Sequence, residues 1–356
     1  EVTRYSQLTE SINTEIDRTF TYTSEFDIKG NAVWSTTDTF VVDRLTDPAS
    51  PAEKLASQRI VHNMNISTMG DAGKQEITTY QTDETGLESS LEITGFQIIE
   101  NRKFDAEHNT ENQLIYSYTE EGGQLLDVQE IRSIGFHSSG TALKQIIATY
   151  VDLNKTEVLD VKVIENSDID SRGNTGTTVI TKYSECSISD SGIGTITPTP
   201  GTEIDRQQIV TTTFDSRGNA IDQIITREYF DAGVSAFKFS ERQVIDNRIV
   251  DGDDVCYDFH DKVQRSRIKT YNEAGEFQEL QNIIYVQYDR YGNALEQTID
   301  TYESQVIDSD YLVDHKRIIN SYIDPITGQV NRIAQRRGNA VTSEVTRYTS
   351  LSESIA

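Results

Sequence analysis

The stretch Phe214-Asp215-Ser216-Arg217-Gly218-Asn219-Ala220 decides the fold. Asp is favoured at the first position of a type I turn, where its carboxylate accepts a nearby backbone N–H. Gly three residues later takes φ > 0 without a Cβ clash, which completes a type I turn with a G1 bulge. Residues 208–214 (Gln-Ile-Val-Thr-Thr-Thr-Phe) lead in, and residues 221–229 (Ile-Asp-Gln-Ile-Ile-Thr-Arg-Glu-Tyr) lead out. Both flanks have strand composition, so the segment reads as a β-hairpin with Phe214 opposite Ala220 on one sheet face.

The same pattern recurs along the chain. Phe26-Asp27-Ile28-Lys29-Gly30-Asn31-Ala32, Ile169-Asp170-Ser171-Arg172-Gly173-Asn174-Thr175 and Tyr288-Asp289-Arg290-Tyr291-Gly292-Asn293-Ala294 are clear copies. Weaker copies lie at 69–75, 104–110, 136–142 and 257–263, and Arg337-Gly338-Asn339-Ala340 keeps the second half only. Anchored on the Gly position, the copies fall at 30, 73, 108, 140, 173, 218, 261, 292 and 338, with His108 and Asp261 replacing Gly. That makes about nine hairpin repeats spaced 31 to 46 residues apart, a constant core with loops of varied length. Ten residues after the anchor stands an aromatic in seven copies: Phe40, Tyr118, Tyr150, Tyr183, Tyr271, Tyr302 and Tyr348. The exceptions are Asp83 and Glu228, the latter followed by Tyr229, which a one-residue bulge would explain.

A longer period encloses the short one. Residues 344–355 repeat residues 1–12 with nine of twelve positions identical, at an offset of 343. The expected organisation is therefore one continuous array over residues 1–356, without separate domains, covering one 343-residue period and the opening of the next. A lone hairpin is marginal in water, so the hairpins are expected to pair edge to edge. The expected fold is all-β: tandem hairpins stacked into a continuous β spiral, solenoid or tube. The segments Asp47 to Pro51 and Ser187 to Thr202 read as insertions between hairpins.

Composition agrees. The 17 Tyr, 12 Phe and abundant Ile, Val and Thr favour strands over disorder, while 35% hydrophobic residues speak against one large compact core. A net charge of −26 argues against a nucleic-acid partner, whose phosphates demand Lys and Arg. No segment is apolar enough over 18 to 20 residues to span a bilayer.

Chemistry-bearing motifs are sparse. The five His (62, 108, 137, 260 and 315) show no metal-ligand spacing, and His108 and His260 fall on turns, where solvent exposure is expected. Asp251-Gly252-Asp253-Asp254 lacks the loop pattern and distal Glu of an EF-hand and reads as a solvated acidic loop. Asp27, Asp170, Asp215 and Asp289 read as turn caps, and the repeat aromatics Phe26, Phe214 and Tyr288 as packing residues. Cys186 and Cys256 are too few for a disulfide framework. Nucleophile motifs and Gly-rich phosphate loops are absent, so no enzyme activity, cofactor or metal is expected.

The element Tyr/Phe-Asp-x-x-Gly-Asn followed by a strand ending in Tyr, as in Tyr288 to Tyr302, resembles the YD repeats of Rhs and teneurin-type proteins. The resemblance touches nearly the whole chain. It implies hairpins wound into a continuous β spiral forming a hollow shell or tube. Repeats of that family are usually shorter, and Leu is more frequent there than the Ala found here. No terminating segment of the toxin type is visible. The functional expectation is a structural segment of a bacterial extracellular or cell-surface fibre whose partner is itself. The alternatives are an adhesin binding glycans or cells through its loops, or a β shell around a toxin.

Overall fold

The computed structural model describes residues 1–5, 11, 15–46, 49–189, 194–249, 257–348 and 350–351. Among these residues the chain forms one antiparallel sheet of 19 strands, from Val2–Tyr5 to Thr342–Tyr348, and a separate two-stranded sheet. Each strand of the large sheet hydrogen-bonds to the strand before it and the strand after it, so the topology is a plain meander. The first and last strands each have one strand neighbour, and the sheet is not a closed barrel. No helix of the described residues is long and apolar enough to cross a membrane.

The anchored motifs form the turns of this meander. Phe26 faces Ala32, Phe214 faces Ala220 and Tyr288 faces Ala294, a large residue against a small one at the mouth of each hairpin. Because strand direction alternates, the motif turns at 27–31, 105–109, 170–174, 215–219 and 289–293 share one rim of the sheet. Links such as 82–91, 119–124 and 272–276 share the other.

Two copies differ from the sequence reading. In the second anchored hairpin the turn anchor is Gly70, not Gly73: Gly70 has φ +97°, its N–H donates to Ser67 O at 3.3 Å, and the next strand begins at Ala72. The shift restores the pattern, since Tyr80 then stands ten residues after the anchor and Asp83 ceases to be an exception. Near the C-terminus, Gly338 and Asn339 do not form a hairpin turn. They close the short helix Arg332–Arg336, with Gly338 at φ +69° and Asn339 N–H bonded to Ala334 O at 2.9 Å. A Gly in the left-handed conformation serves equally after a helix and inside a turn.

A β-bulge accompanies the aromatic landmark in copy after copy. Thr39 and Phe40 face Ser57 and Leu55, Ser117 and Tyr118 face Asp127 and Leu125, and Thr301 and Tyr302 face Asp314 and Leu312. The extra residue always lies on the following strand. At the sixth anchor the same bulge leaves Glu228 opposite Phe239 and Tyr229 opposite Lys238. Tyr229 therefore does not stand in for the missing aromatic and is 49% exposed.

Burial is local. Leu114, Val128, Ala148, Tyr150 and Val161 form the main cluster, capped by Ile196. Ile196 comes from the hairpin Cys186–Ser189 with Thr195–Pro198, so the insertion read at 187–202 folds back over the sheet. Among the repeat aromatics Tyr302 and Tyr150 are buried, Phe40, Tyr118, Tyr183, Phe214, Tyr271, Tyr288 and Tyr348 are partly buried, and Phe26 is exposed. We expect Tyr302→Ala, at a site 1% exposed, to cost about 3 kcal/mol or more. Phe26→Ala, at a site 59% exposed, should cost less than about 1 kcal/mol, and urea unfolding of the two variants compares them directly.

Candidate functional site: the turn rim and its seam

Most of the anchored turns are locked by one carboxylate. Asp27 Oδ1 accepts the N–H groups of Lys29 and Asn31 at 2.8 and 2.9 Å, and Oδ2 accepts Asn31 Nδ2 at 2.9 Å. Asp105, Asp170, Asp215 and Asp289 repeat all three bonds with the residues two and four positions on. Ser67 makes the two backbone bonds with its hydroxyl, at 3.1 Å each. The Asn31 side chain, and then its backbone N–H, holds the Asp27 carboxyl below the usual carboxylate range. Asp258 makes the same backbone bonds, yet burial pushes its carboxyl up.

Successive turns touch. A Cβ placed on Gly218 would fall 2.7 Å from Asn174 Oδ1, and one on Gly338 would fall 3.1 Å from Asn293 Oδ1. The motif Asn thus closes its own turn and packs on the Gly of the next. Asn293 Nδ2 also donates to Gln335 O at 2.8 Å, and Asn219 Nδ2 to Asp261 Oδ1 at 2.7 Å. His108 and Asp261, which replace Gly, take φ of +65° and +61°.

A second set of asparagines escaped the sequence reading. Asn63, Asn101, Asn166 and Asn320 donate to the carbonyls of Ala32, Ala72, Ala142 and Ala294 on the strand before, at 2.9 to 3.0 Å. Gln75 and Gln113 then donate to Asn63 and Asn101 Oδ1 at 2.8 Å. These bonds satisfy carbonyls at the hairpin mouth, where an unpaired buried carbonyl would be costly. The signal was present: each of these Asn stands four residues before the first residue of its next turn.

The motif rim of late hairpins meets the opposite rim of early ones, forming a seam. His260 Nε2 lies 3.0 Å from Thr82 Oγ1, and Lys54 Nζ lies 4.7 Å from the centre of the Phe259 ring. Phe259 is buried with Val41 and Ala56. Arg290 donates to Gln81 O at 3.2 Å and to Ser90 O, and reaches Glu92 at 3.1 Å. Arg336 donates to Thr119 O at 2.5 Å and stacks 4.1 Å over Tyr291, while Arg337 donates to Leu126 O at 2.7 Å. These hydrogen bonds link residues 178 to 217 positions apart. A cavity of 790 Å³ opens at the seam, lined by Asp43, Lys54, Asp83, His260, Lys262 and Arg290 among others.

His260 is accordingly not a solvent-exposed turn residue, as its sequence position had implied. Burial, and then the charges of Lys262, Lys54 and Arg290, hold its pKa at about 3. The other histidines are dispersed. His62 stacks on Trp34 at 4.0 Å, His108 bonds Asp71 at 2.8 Å, His137 lies in its own turn and His315 lies 2.5 Å from Asp300. Among the described residues no group of three or more His, Cys, Asp or Glu could hold a metal ion. The acidic segment Asp251 to Asp254 and Cys256 lie outside the described residues. Cys186 is a free thiol 3.9 Å from the Tyr150 hydroxyl. Fully buried Glu130 is held by Lys155 at 2.7 Å, Arg132 at 3.0 Å and Arg102 at 3.1 Å, an arrangement that keeps it ionised despite burial.

No protein-family model matches the chain, and no curated protein matches it. Among solved structures it is similar to the crystal structure of TcdB2-TccC3, at 11% identity and a TM-score of 0.14. That similarity covers 84% of this chain, which spans 22% of the other.

Two expectations follow from the rim and the seam. Gly218→Ala and Gly30→Ala both place a Cβ at positive φ, +98° and +88°. Only the former meets a neighbour, at 2.7 Å, so its loss of stability should exceed the roughly 1 kcal/mol of the latter in chemical unfolding. For His260 the unfolded chain takes up a proton near pH 6.5 and the folded chain only near 3, so stability falls as pH drops through that window. The loss at pH 5 should be on the order of 1–2 kcal/mol, and His260→Gln should abolish it in unfolding measured at pH 7 and pH 5.

Proposed function

We propose that this chain is a structural repeat protein, a segment of a long extracellular or cell-surface fibre or tube built from tandem 343-residue units. In this reading the meander winds as a continuous β spiral whose successive turns rest rim on rim, as the resemblance to YD-repeat proteins implies. The observation that carries it is the seam: residues 178 to 217 positions apart meet where the two opposite rims touch, through Thr82 and His260, Arg290 and Gln81, and Arg336 and Thr119. A return distance near 200 residues, shorter than the 343-residue period, lets one unit wind more than once and hand the sheet to the next. Stability in such an array is a sum of nearest-neighbour terms, so length adds no new folding problem. Its partner is itself, and we assign it no catalytic role.

Negative-stain electron microscopy of chains of one, two and three consecutive 343-residue periods tests this. Rods whose length grows in proportion to the number of periods are expected. Separate compact beads would overturn the reading in favour of an adhesin array, and a closed hollow particle in favour of a toxin shell.

A further inference from the structure

The seam recurs at a constant strand count. Phe259 lies on the turn between the fourteenth and fifteenth strands of the large sheet, and it is buried with Val41 and Ala56, on either side of the link between the third and fourth. His260 beside it also touches Thr82 at the next link. Arg290, between the sixteenth and seventeenth strands, donates to Gln81 O and Ser90 O at the link between the fifth and sixth. Arg332 and Arg336, between the eighteenth and nineteenth, reach Glu120 and Thr119 O at the link between the seventh and eighth. In all three places the motif rim rests on the link rim eleven strands away. Motif turns and links alternate between successive strands, so only an odd count sets one kind against the other.

The sequence period has a different count. Val2–Tyr5 is the first strand and Thr342–Tyr348, which carries the matching sequence, is the nineteenth, so 343 residues hold eighteen strands. Eleven strands on from link 151–157 comes turn 27–31 of the following unit, and eleven strands on from link 303–311 comes its turn 170–174. We infer that these two links of each unit are docking surfaces for those two turns of the unit that follows, so that tandem units are held rim to rim as well as end to end. The inference rests on the structural-polymer reading and adds to it which surfaces meet.

Side-chain charge fits both pairs. Inside the chain the turn supplies the cation: Arg290 donates to link carbonyls and lies 3.1 Å from Glu92. Turn 27–31 presents exposed Lys29, and link 151–157 presents Asp152 and exposed Glu157. Turn 170–174 presents Arg172, its side chain 54% exposed, and link 303–311 presents exposed Glu303, Asp308 and Asp310. Opposite signs on facing rims favour this register in a chain of net charge −26. The joint is heterologous and does not close on itself, so it continues from unit to unit.

A chain in which residues 1–343 are followed by residues 1–356 tests this, with Cys186→Ser and Cys256→Ser in both units. Asn154→Cys in the first unit and Lys29→Cys in the second should be joined by a short bis-maleimide. The reaction should be at least about tenfold faster than for Asn154→Cys with Glu107→Cys of the second unit, on a turn four strands further on. All three positions are exposed. In the single 356-residue chain in dilute solution, Asn154→Cys and Lys29→Cys should stay unlinked. There Glu120→Cys and Arg332→Cys, at the two ends of a 2.5 Å ion pair, should link. Circular dichroism reports the folding of each variant. Equal rates for the Lys29→Cys and Glu107→Cys pairs, or no link to Lys29→Cys where Glu120→Cys and Arg332→Cys do link, overturns the inference and leaves the polymer reading standing. A folded chain in which Glu120→Cys and Arg332→Cys stay unlinked overturns the seam, and the polymer reading with it.

Discussion

A carboxylate receiving two backbone N–H groups is the constraint on which the rest of this structure depends. Asp27, Asp105, Asp170, Asp215 and Asp289 each fix a five-residue turn by the same bonds, and the residue three positions on, His108 after Asp105 and Gly after the others, reverses the chain at positive φ. A turn fixed this way sets the pairing of its two strands and therefore the face on which each side chain falls. The motif Asn carries that local geometry outward, because it closes one turn and packs on the next. Spacing between hairpins is thus set at the rim as well as by the backbone ladder.

Hydrophobic burial plays a smaller part than in a compact domain. Buried apolar side chains occur in patches such as that around Leu114 and Val161, and much of the cohesion is polar. Asn side chains satisfy carbonyls between hairpins, and the seam is built from arginines donating to backbone carbonyls of residues such as Gln81, Thr119 and Leu126. With a net charge of −26, the chain spends several of its 32 basic residues where two rims approach. A cation placed where two rims meet offsets the repulsion of a strongly acidic chain. The cluster of Arg102, Arg132 and Lys155 around Glu130 follows the same rule inside the sheet.

Much of this was legible in the residues. The pairing of Phe214 with Ala220 and of Tyr288 with Ala294 follows from turn chemistry alone, because a type I turn with a bulge admits one register. The second anchored turn lies three residues from its expected place since Gly70 and Gly73 both occur there and Ser67 replaces the usual Asp. The Asn set at 63, 101, 166 and 320 was overlooked because one polar residue in a strand carries no local signature. Its role appears only when the neighbouring hairpin is in place.

By itself the sequence determined the hairpin, the turn lock, the repeat spacing and the match between residues 1–12 and 344–355, since each depends on residues a few positions apart or on identity between copies. Tertiary structure decided which rims meet, why His260 is held neutral against Thr82 and Phe259, and why the short helix Arg332–Arg336 replaces a ninth hairpin turn. Those contacts join residues about 200 positions apart. The distance is set by the accumulated twist and bulging of many strands, a quantity that no local pattern of residues encodes.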